Sequence, residues 1–421
     1  MHIVIVNRWP RFDADSTRWD NELTRYEEYI DHQAHKVSYV VDANGAKGVL
    51  APHNSIAGYI QVDEVNDVDQ LLAACQRISA EQGPIDRLIA LSEFTLEIAA
   101  QVRLALDIPG PKPDEVSTYR DKARMKELVA QQGLRAPRYA LADDSNLFFK
   151  AQQWGFPVIL KPRYGAASIG VKKITDRADL ISALADVNPG AYEVEEFITG
   201  DIYHIDGYVD GDGRVIFQVV SKYINDCLSF TDGKPLGSFV IDDSSLRRAI
   251  ESFSIQCCQV LNLRRTPFHL EVFWHDDEPV FLEIGARVGG AEVPHLLNRL
   301  YNFNIFEYWL RELSGEKVSV PALDRELSLA GGWVIFPKPE DAPARVITAT
   351  SLKQQLPSIW RQLIPPPGHV FTPGGSYDAL HCGRFIVTDT TADQVEQTLH
   401  QIISTFGCQL EPLRLAEKNS A

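Results

Sequence analysis

The sequence predicts a three-part chain that combines an open α/β domain, an α+β domain and a smaller α/β closing unit. Three observations carry this. Short apolar strands alternate with helical periodicity through the first ~110 residues, the pattern of a doubly wound parallel sheet. A Pro/Gly-rich break, "DIPGPKPDE" (107–115), then interrupts the pattern. Beyond it come mostly strands joined by turns, then one long helix and a hairpin. At 421 residues the chain is long enough for two or three domains with full cores. The expected boundaries are 1–111, 112–320 and 321–421.

The elements follow in order. "HIVIV" (2–6) is wholly apolar, as expected of a strand buried on both faces. A helix-like segment, "NELTRYEEYIDHQ", separates it from "KVSYVVD" (36–42), and "YIQVD" (59–63) and "DRLIALS" (86–92) are further strands around the periodic "VDQLLAACQRIS". After the break, "STYRDKARMKELVAQQG" (117–133) reads as a basic amphipathic helix capped by Ser117 or Thr118. Residues 156–162, 170–176, 191–198 and 202–223 are mostly strands, and 244–263 is a long helix. The tail holds a strand at 331–336, a Pro/Gly loop at 364–375, a strand at 382–389 and a helix at 391–407.

Composition narrows the function. A net charge of −16 with pI near 5.2 argues against nucleic acid or an anionic membrane as partner. The six cysteines show no CxxC pair and no metal-ligand spacing. No basic, apolar leader precedes the first strand, and no run of about 20 apolar residues exists to cross a bilayer. The expectation is a reduced, cytoplasmic protein.

Residues 268–290, "FHLEVFWHDDEPVFLEIGARVGG", pose a physical problem. Two apolar runs flank a polar turn, and each carries one carboxylate, Glu271 and Glu283. Isolated buried charges are costly unless paired or bound to metal. If the turn has odd length the two acids oppose one another, a repulsion that a hard divalent cation with oxygen ligands removes. The alternative is an edge hairpin with one Glu turned to solvent. Upstream, "KPRYGAASIGVKKI" (161–174) puts Gly165, Ala166, Ala167, Ser168 and Gly170 between two strands, where small residues let backbone N–H groups approach phosphate. Lys161 ends the strand before this turn and Lys122 lies on the preceding helix. "VEEFITGD" supplies Glu195, Glu196, Phe197 and Ile198 ahead of a Gly turn and Asp201, and Lys222 lies on a later strand.

Taken in order, these features resemble the ATP-grasp superfamily of carboxylate–amine ligases: helix lysine, strand-end lysine, small-residue loop, acidic hinge, strand lysine, then Glu…Glu-x-Gly-x-Arg. "LEIGARVGG" with "LSEF" (91–94) is similar to the bacterial L-amino acid ligase (dipeptide synthetase) branch. The resemblance implies an ATP-grasp fold: an N-terminal pre-ATP-grasp α/β domain, a two-lobed ATP-grasp domain and a C-terminal cap. It implies ATP with Mg2+, or Mn2+ in its place, as cofactors. Lys122 and Lys161 match the α- and β-phosphate contacts, residues 165–170 the loop over the β- and γ-phosphates, and Lys222 a cation near the γ-phosphate. Glu195, Glu196, Phe197 and Ile198 match the adenine hinge, Glu271 and Glu283 the magnesium carboxylates. Arg287 matches the cation at the transferred phosphoryl group, and Glu93 a substrate-contacting acid.

Two positions depart from the superfamily pattern. Gly285 stands where many members have a metal-binding Asn, and Ile202 where many have a ribose-binding Glu, leaving Asp201 or Asp206 as substitutes. The implied activity is ATP-dependent amide formation between amino acids through an acylphosphate. The alternatives are a carrier-bound acyl or other small-carboxylate substrate, or a non-catalytic ATP sensor. The partners expected are small-molecule amino acids, and a homodimer is compatible with this reading. Asp378 or Arg384, near the tail loop, is the expected additional substrate contact. His204, His269 and His295 are expected to be packing or hydrogen-bonding groups.

Overall fold

The computed structural model describes residues 1–11, 22–166, 168–225, 227–231, 233–242, 244–320, 329–339, 342–372 and 381–413. The N-terminal unit contains β1 (His2–Asn7), α1 (Tyr26–Tyr29), β2 (Lys36–Val41), β3 (Gly58–Gln61), α2 (Val68–Gln82), β4 (Arg87–Ala90) and α3 (Leu96–Ala105). Its strands form a parallel sheet in the order β3-β2-β1-β4. Alternation explains why β1 is apolar throughout: Ile3 and Ile5 pack into one core cluster and Val4 and Val6 into another, on the opposite face. Helices α2 and α3 cover the second face.

A four-stranded antiparallel sheet, β5-β8-β6-β7, makes the smaller lobe of the middle region. Its elements are α4 (Pro113–Ser117), α5 (Lys122–Gln131), β5 (Tyr139–Leu141), α6 (Leu147–Trp154), β6 (Val158–Pro162), β7 (Lys172–Ile174), α7 (Arg177–Ala185) and β8 (Tyr192–Glu196). The larger lobe is built from β9 (Asp201–Val209), β10 (Val215–Asn225), α8 (Cys227–Thr231), β11 (Leu236–Val240), α9 (Ser244–Val260), β12 (Thr266–His275), β13 (Glu278–Gly285), α10 (Val293–Tyr301) and α11 (Ile305–Leu313).

The tail contributes β14 (Ala330–Pro337), β15 (Ala344–Ala349), β16 (Ile359–Leu363), β17 (Val370–Phe371), β18 (His381–Asp389), α12 (Ala392–Thr405) and β19 (Cys408–Pro412). Strands β14, β18 and β16 extend the large sheet, whose order is β13-β12-β9-β10-β11-β14-β18-β16, while β17, β15 and β19 form a small sheet of their own. The tail is thus continuous with the larger lobe through backbone hydrogen bonds between β11 and β14.

One helix start differs from expectation. Ser117 and Thr118 do not cap the basic helix; their hydroxyls donate to the carbonyls of Asp114 and Glu115 at the end of the separate turn α4. Helix α5 begins at Lys122 under Asp121, whose carboxylate accepts from the Ala123 amide at 3.1 Å. The same carboxylate is bound by the Arg163 guanidinium and by the Tyr164 hydroxyl at 3.2 Å, so the cap also fastens α5 to the end of β6.

Candidate active site

A cleft with about 920 Å³ of empty space, part of it open to solvent, lies between the two lobes. Lys122, Lys161, Gly165, Ala166 and Ser168 line it from the smaller lobe and loop, Glu195–Ile198 from the hinge, and Glu271 and Glu283 from the larger sheet. Ala167 and Asp378 lie outside the described residues.

The hairpin turn is of even length, Asp276–Asp277 between the paired His275 and Glu278, so the turn alone would set Glu271 against Leu282, and a bulge supplies the extra residue that opposes the two acids. Glu271 on β12 and Glu283 on β13 are direct partners in the antiparallel register, with a bulge just after Glu271. The Tyr223 hydroxyl donates to Glu271 Oε1 at 2.7 Å, and His269 Nε2 lies 3.4 Å from the same oxygen. Burial pushes the Glu271 carboxyl up, but His269 and Tyr223 more than offset it, holding it at about 2. Glu283 faces Lys122, with Oε2 and Nζ 3.2 Å apart. Two opposed carboxylates opening on one cleft are an oxygen donor set suited to a hard divalent ion. At Gly285 an added Cβ would come within 3.3 Å of Arg287 Cγ, so a side chain there would crowd the arginine.

Lys122 Nζ also donates to the Gly165 carbonyl at 3.0 Å, tying helix α5 to the small-residue loop. Gly165 (φ +134°) and Gly170 (φ +77°) take left-handed conformations that favour glycine, and Ser168 (φ +55°) takes one too. Lys161 is buried at the end of β6, 2.7 Å from Glu195 Oε1. Both belong to a quartet that sequence reading missed. Lys126, one turn beyond Lys122 on α5 and fully buried, binds Glu195 at 2.6 Å and also Glu193. One oxygen of Glu193 has no hydrogen-bond partner. Burial pulls the Lys126 ammonium down, yet the two carboxylates hold it above its ordinary value.

The Glu195 carboxylate is therefore turned into this quartet, and Glu196 is bound by Arg138 through the guanidinium and the backbone amide. What the hinge has left for a base is backbone, with apolar walls from Ile159, Ile198 and Ile202 among others. Phe197 lies beneath the Lys173 ammonium, 4.0 Å from its ring centre.

Asp201 and Lys222 form an ion pair at 2.7 Å near the hinge, outside the residues that line the cleft. Asp206 is already paired. It is buried, accepts from His204 at 2.7 Å and His269 at 2.9 Å, and Gly289 packs so tightly that a Cβ there would lie 2.2 Å from its Oδ1. His204 and His269 are hydrogen-bonding residues, as expected, in a buried chain running from Ser238 through His204, Asp206 and His269 to Glu271.

Arg287, just after β13, is held by Glu93, just after β4, Nε to Oε2 at 2.5 Å. Arg120 binds the other Glu93 oxygen. Burial pushes the Glu93 carboxyl up, and the two guanidiniums reverse this and hold it below its ordinary value. Arg384 is buried against Glu292, and His295 lies 3.5 Å from Glu22, well embedded in the same region. Sequence reading missed Arg120, Tyr223, Lys126 and Glu193. The position of Lys126 four residues after Lys122, on the same helix face, was the one available signal.

A model of the ATP-grasp domain matches residues 154–295. An L-arginine-specific L-amino acid ligase of Bacillus subtilis is 22% identical over 257 residues, covering 58% of this chain and 62% of that protein. Dapdiamide A synthase of Enterobacter agglomerans is 25% identical over 228 residues, 51% of this chain and 53% of that protein. The matches thus span between about half and two thirds of these relatives. The crystal structure of an L-amino acid ligase from Bacillus licheniformis superposes with a TM-score of 0.72 at 18% identity, covering 97% of this chain and 98% of that one. A phosphoribosylglycinamide synthetase from Anaerococcus prevotii superposes at 0.65, with 15% identity over 97% of this chain and 99% of that one. The chain has the ATP-grasp fold, and residues 154–295 match the ATP-grasp domain model.

Proposed function

We propose that this protein is an ATP-dependent carboxylate–amine ligase that joins two amino acids. The observation that carries the proposal is the opposed pair Glu271–Glu283 facing the same cleft as Lys122 and Lys161, with Arg287 beside it. ATP would lie between the lobes, adenine against the apolar hinge and phosphates toward Lys122, Lys161 and the loop at 165–170. Asp201 is the acid left for the ribose, since Asp206 is fully engaged. Glu271 and Glu283 would hold Mg2+, which when bound offsets negative charge on the phosphates.

In the first step a substrate carboxylate oxygen attacks the γ-phosphorus, the bond to the β-phosphate oxygen breaks, and ADP leaves with that electron pair. In the second an amine nitrogen attacks the acyl carbon, phosphate departs with its bonding electrons and the amine loses a proton. The protein's part is positioning and electrostatic stabilisation. Arg287, freed from Glu93, meets the developing phosphoryl charge, with Lys222 as a further cation. Glu93 exchanges Arg287 for a substrate ammonium group. Closure of the small-residue loop keeps water from the acylphosphate.

Single and paired L-amino acids scored for ADP and phosphate release test the reading. A pair that stimulates release in the unmodified protein but not after Glu283→Ala supports it. Release with no amino-acid pair, or release only with a carrier-bound acyl group, overturns it.

A further inference from the structure

A second cavity, with about 660 Å³ of empty space, part of it open to solvent, lies away from the main cleft between α9, β10, β11 and the end of α10. It shares no lining residue with the cleft. Its wall holds two polar atoms without hydrogen-bond partners: the donor Arg247 Nε and the acceptor Gln218 Oε1. Gln218 is only 9% exposed, and its amide nitrogen is already committed to the Glu251 carbonyl at 3.3 Å. Arg247 Nε stands 3.8 Å from Glu251 Oε1, beyond hydrogen-bond reach. A buried donor or acceptor left unmet is destabilising, so a ligand that meets both gains from each. The cavity also carries the Asp242 carboxylate at its rim and apolar surface from Leu300, Leu329 and Tyr301.

We infer that this cavity binds a small zwitterion, an α-amino acid with an apolar side chain. Its carboxylate meets the unpartnered donor of Arg247. Its ammonium donates to Gln218 Oε1 in a setting made negative by Glu251 and Asp242, and its side chain lies along Leu300 and Leu329. A lone anion would face two acids, and a lone amine would leave Arg247 unmet. Strand β10 carries Gln218 here and, five residues on, Tyr223, the partner of Glu271 in the main cleft, so a ligand at one end adjoins the strand that serves the other.

Calorimetric titration of full-length protein carrying Arg287→Ala, which removes the candidate substrate cation of the main cleft, tests this. L-leucine and L-phenylalanine are the probes, with acetate and isobutylamine as single-charge controls. One amino acid should bind per chain, and the controls should not. Arg247→Met or Gln218→Met should weaken binding about ten-fold or more, the loss of one charged or buried hydrogen bond, and Arg247→Lys should restore part of it. Thermal melting checks folding, and if Arg247→Met does not fold, Gln218→Met decides. Absence of binding at about 10 mM probe, binding indifferent to the substitutions, or equal binding of acetate overturns the inference. The titration needs no turnover, so a failure of the ligase reading leaves it intact.

Discussion

Replacing Lys126 by methionine probes the electrostatics beneath the nucleotide cleft. Lys126 is fully buried and serves two carboxylates, Glu193 and Glu195, while Lys161 serves Glu195 from the cleft side. Methionine keeps most of the volume, so packing changes little. Removing one member of a buried charge group leaves uncompensated charge and costs about 3–5 kcal/mol. Two charge-assisted hydrogen bonds, at about 1.5–3 kcal/mol each, give a similar figure. Glu193→Gln removes the acid that depends on Lys126 alone for a close contact, Lys161 being 4.0 Å away. The double variant Lys126→Met/Glu193→Gln should therefore be more stable than the sum of the single effects by roughly 1–3 kcal/mol. Urea unfolding of the domain containing β8, together with hydrogen exchange of the β8 amides, reads these differences. A loss below about 1 kcal/mol for Lys126→Met, or strict additivity in the double variant, would refute the assignment of the quartet as an interdependent unit.

Four further outcomes follow from the geometry. Glu283→Gln should weaken the Mg2+ dependence of ADP release by about ten-fold or more, measured as the half-saturating Mg2+ concentration, while leaving the melting temperature nearly unchanged at this half-exposed position. Glu93→Gln should raise KM for the amine-bearing substrate more than it lowers kcat, and an unchanged KM would speak against Glu93 as a substrate contact. In chelator-treated protein His269 is held protonated up to about 9, since Asp206 and Glu271 outweigh the opposing effect of burial. A raised pKa stabilises fully below the unfolded value of 6.5 and is lost as pH rises through about 9. At about 1.4 kcal/mol per tenfold change in proton affinity, this removes up to about 3 kcal/mol, and His269→Gln should flatten that part of the pH–stability curve. Gly289→Ala should cost about 1–3 kcal/mol, because its Cβ would lie 2.2 Å from Asp206 Oδ1; a neutral result in urea unfolding would contradict the close packing.

Much of the frame was legible in the residues. β1 announced a buried parallel strand through its unbroken apolar run, whereas the Glu271–Glu283 opposition, expected only for an odd turn, arises across an even turn through a bulge that the residues did not signal. The short strand β11, with a glycine in a five-residue run, and the helices α10 and α11 gave weaker local signals and were not read. Position in the chain also misled at α5: a hydroxyl residue before a basic helix suggested its cap, but Ser117 and Thr118 bond back to α4 carbonyls and Asp121, bound also by Arg163, is the cap.

The sequence by itself determined which chemistry the chain carries. The order of lysines, small residues and acids is one that suits phosphate and a hard cation, because each residue type suits its ligand wherever the backbone delivers it. Tertiary structure decided what each of those groups binds. Glu195 is spent on Lys126 and Lys161, Glu196 on Arg138, and Asp206 on two histidines, leaving Glu271 and Glu283 turned to the cleft. The physical reason is that a buried charge takes whatever partner lies within hydrogen-bond reach. That partner comes from residues tens to hundreds of positions away, and only the folded chain brings them together.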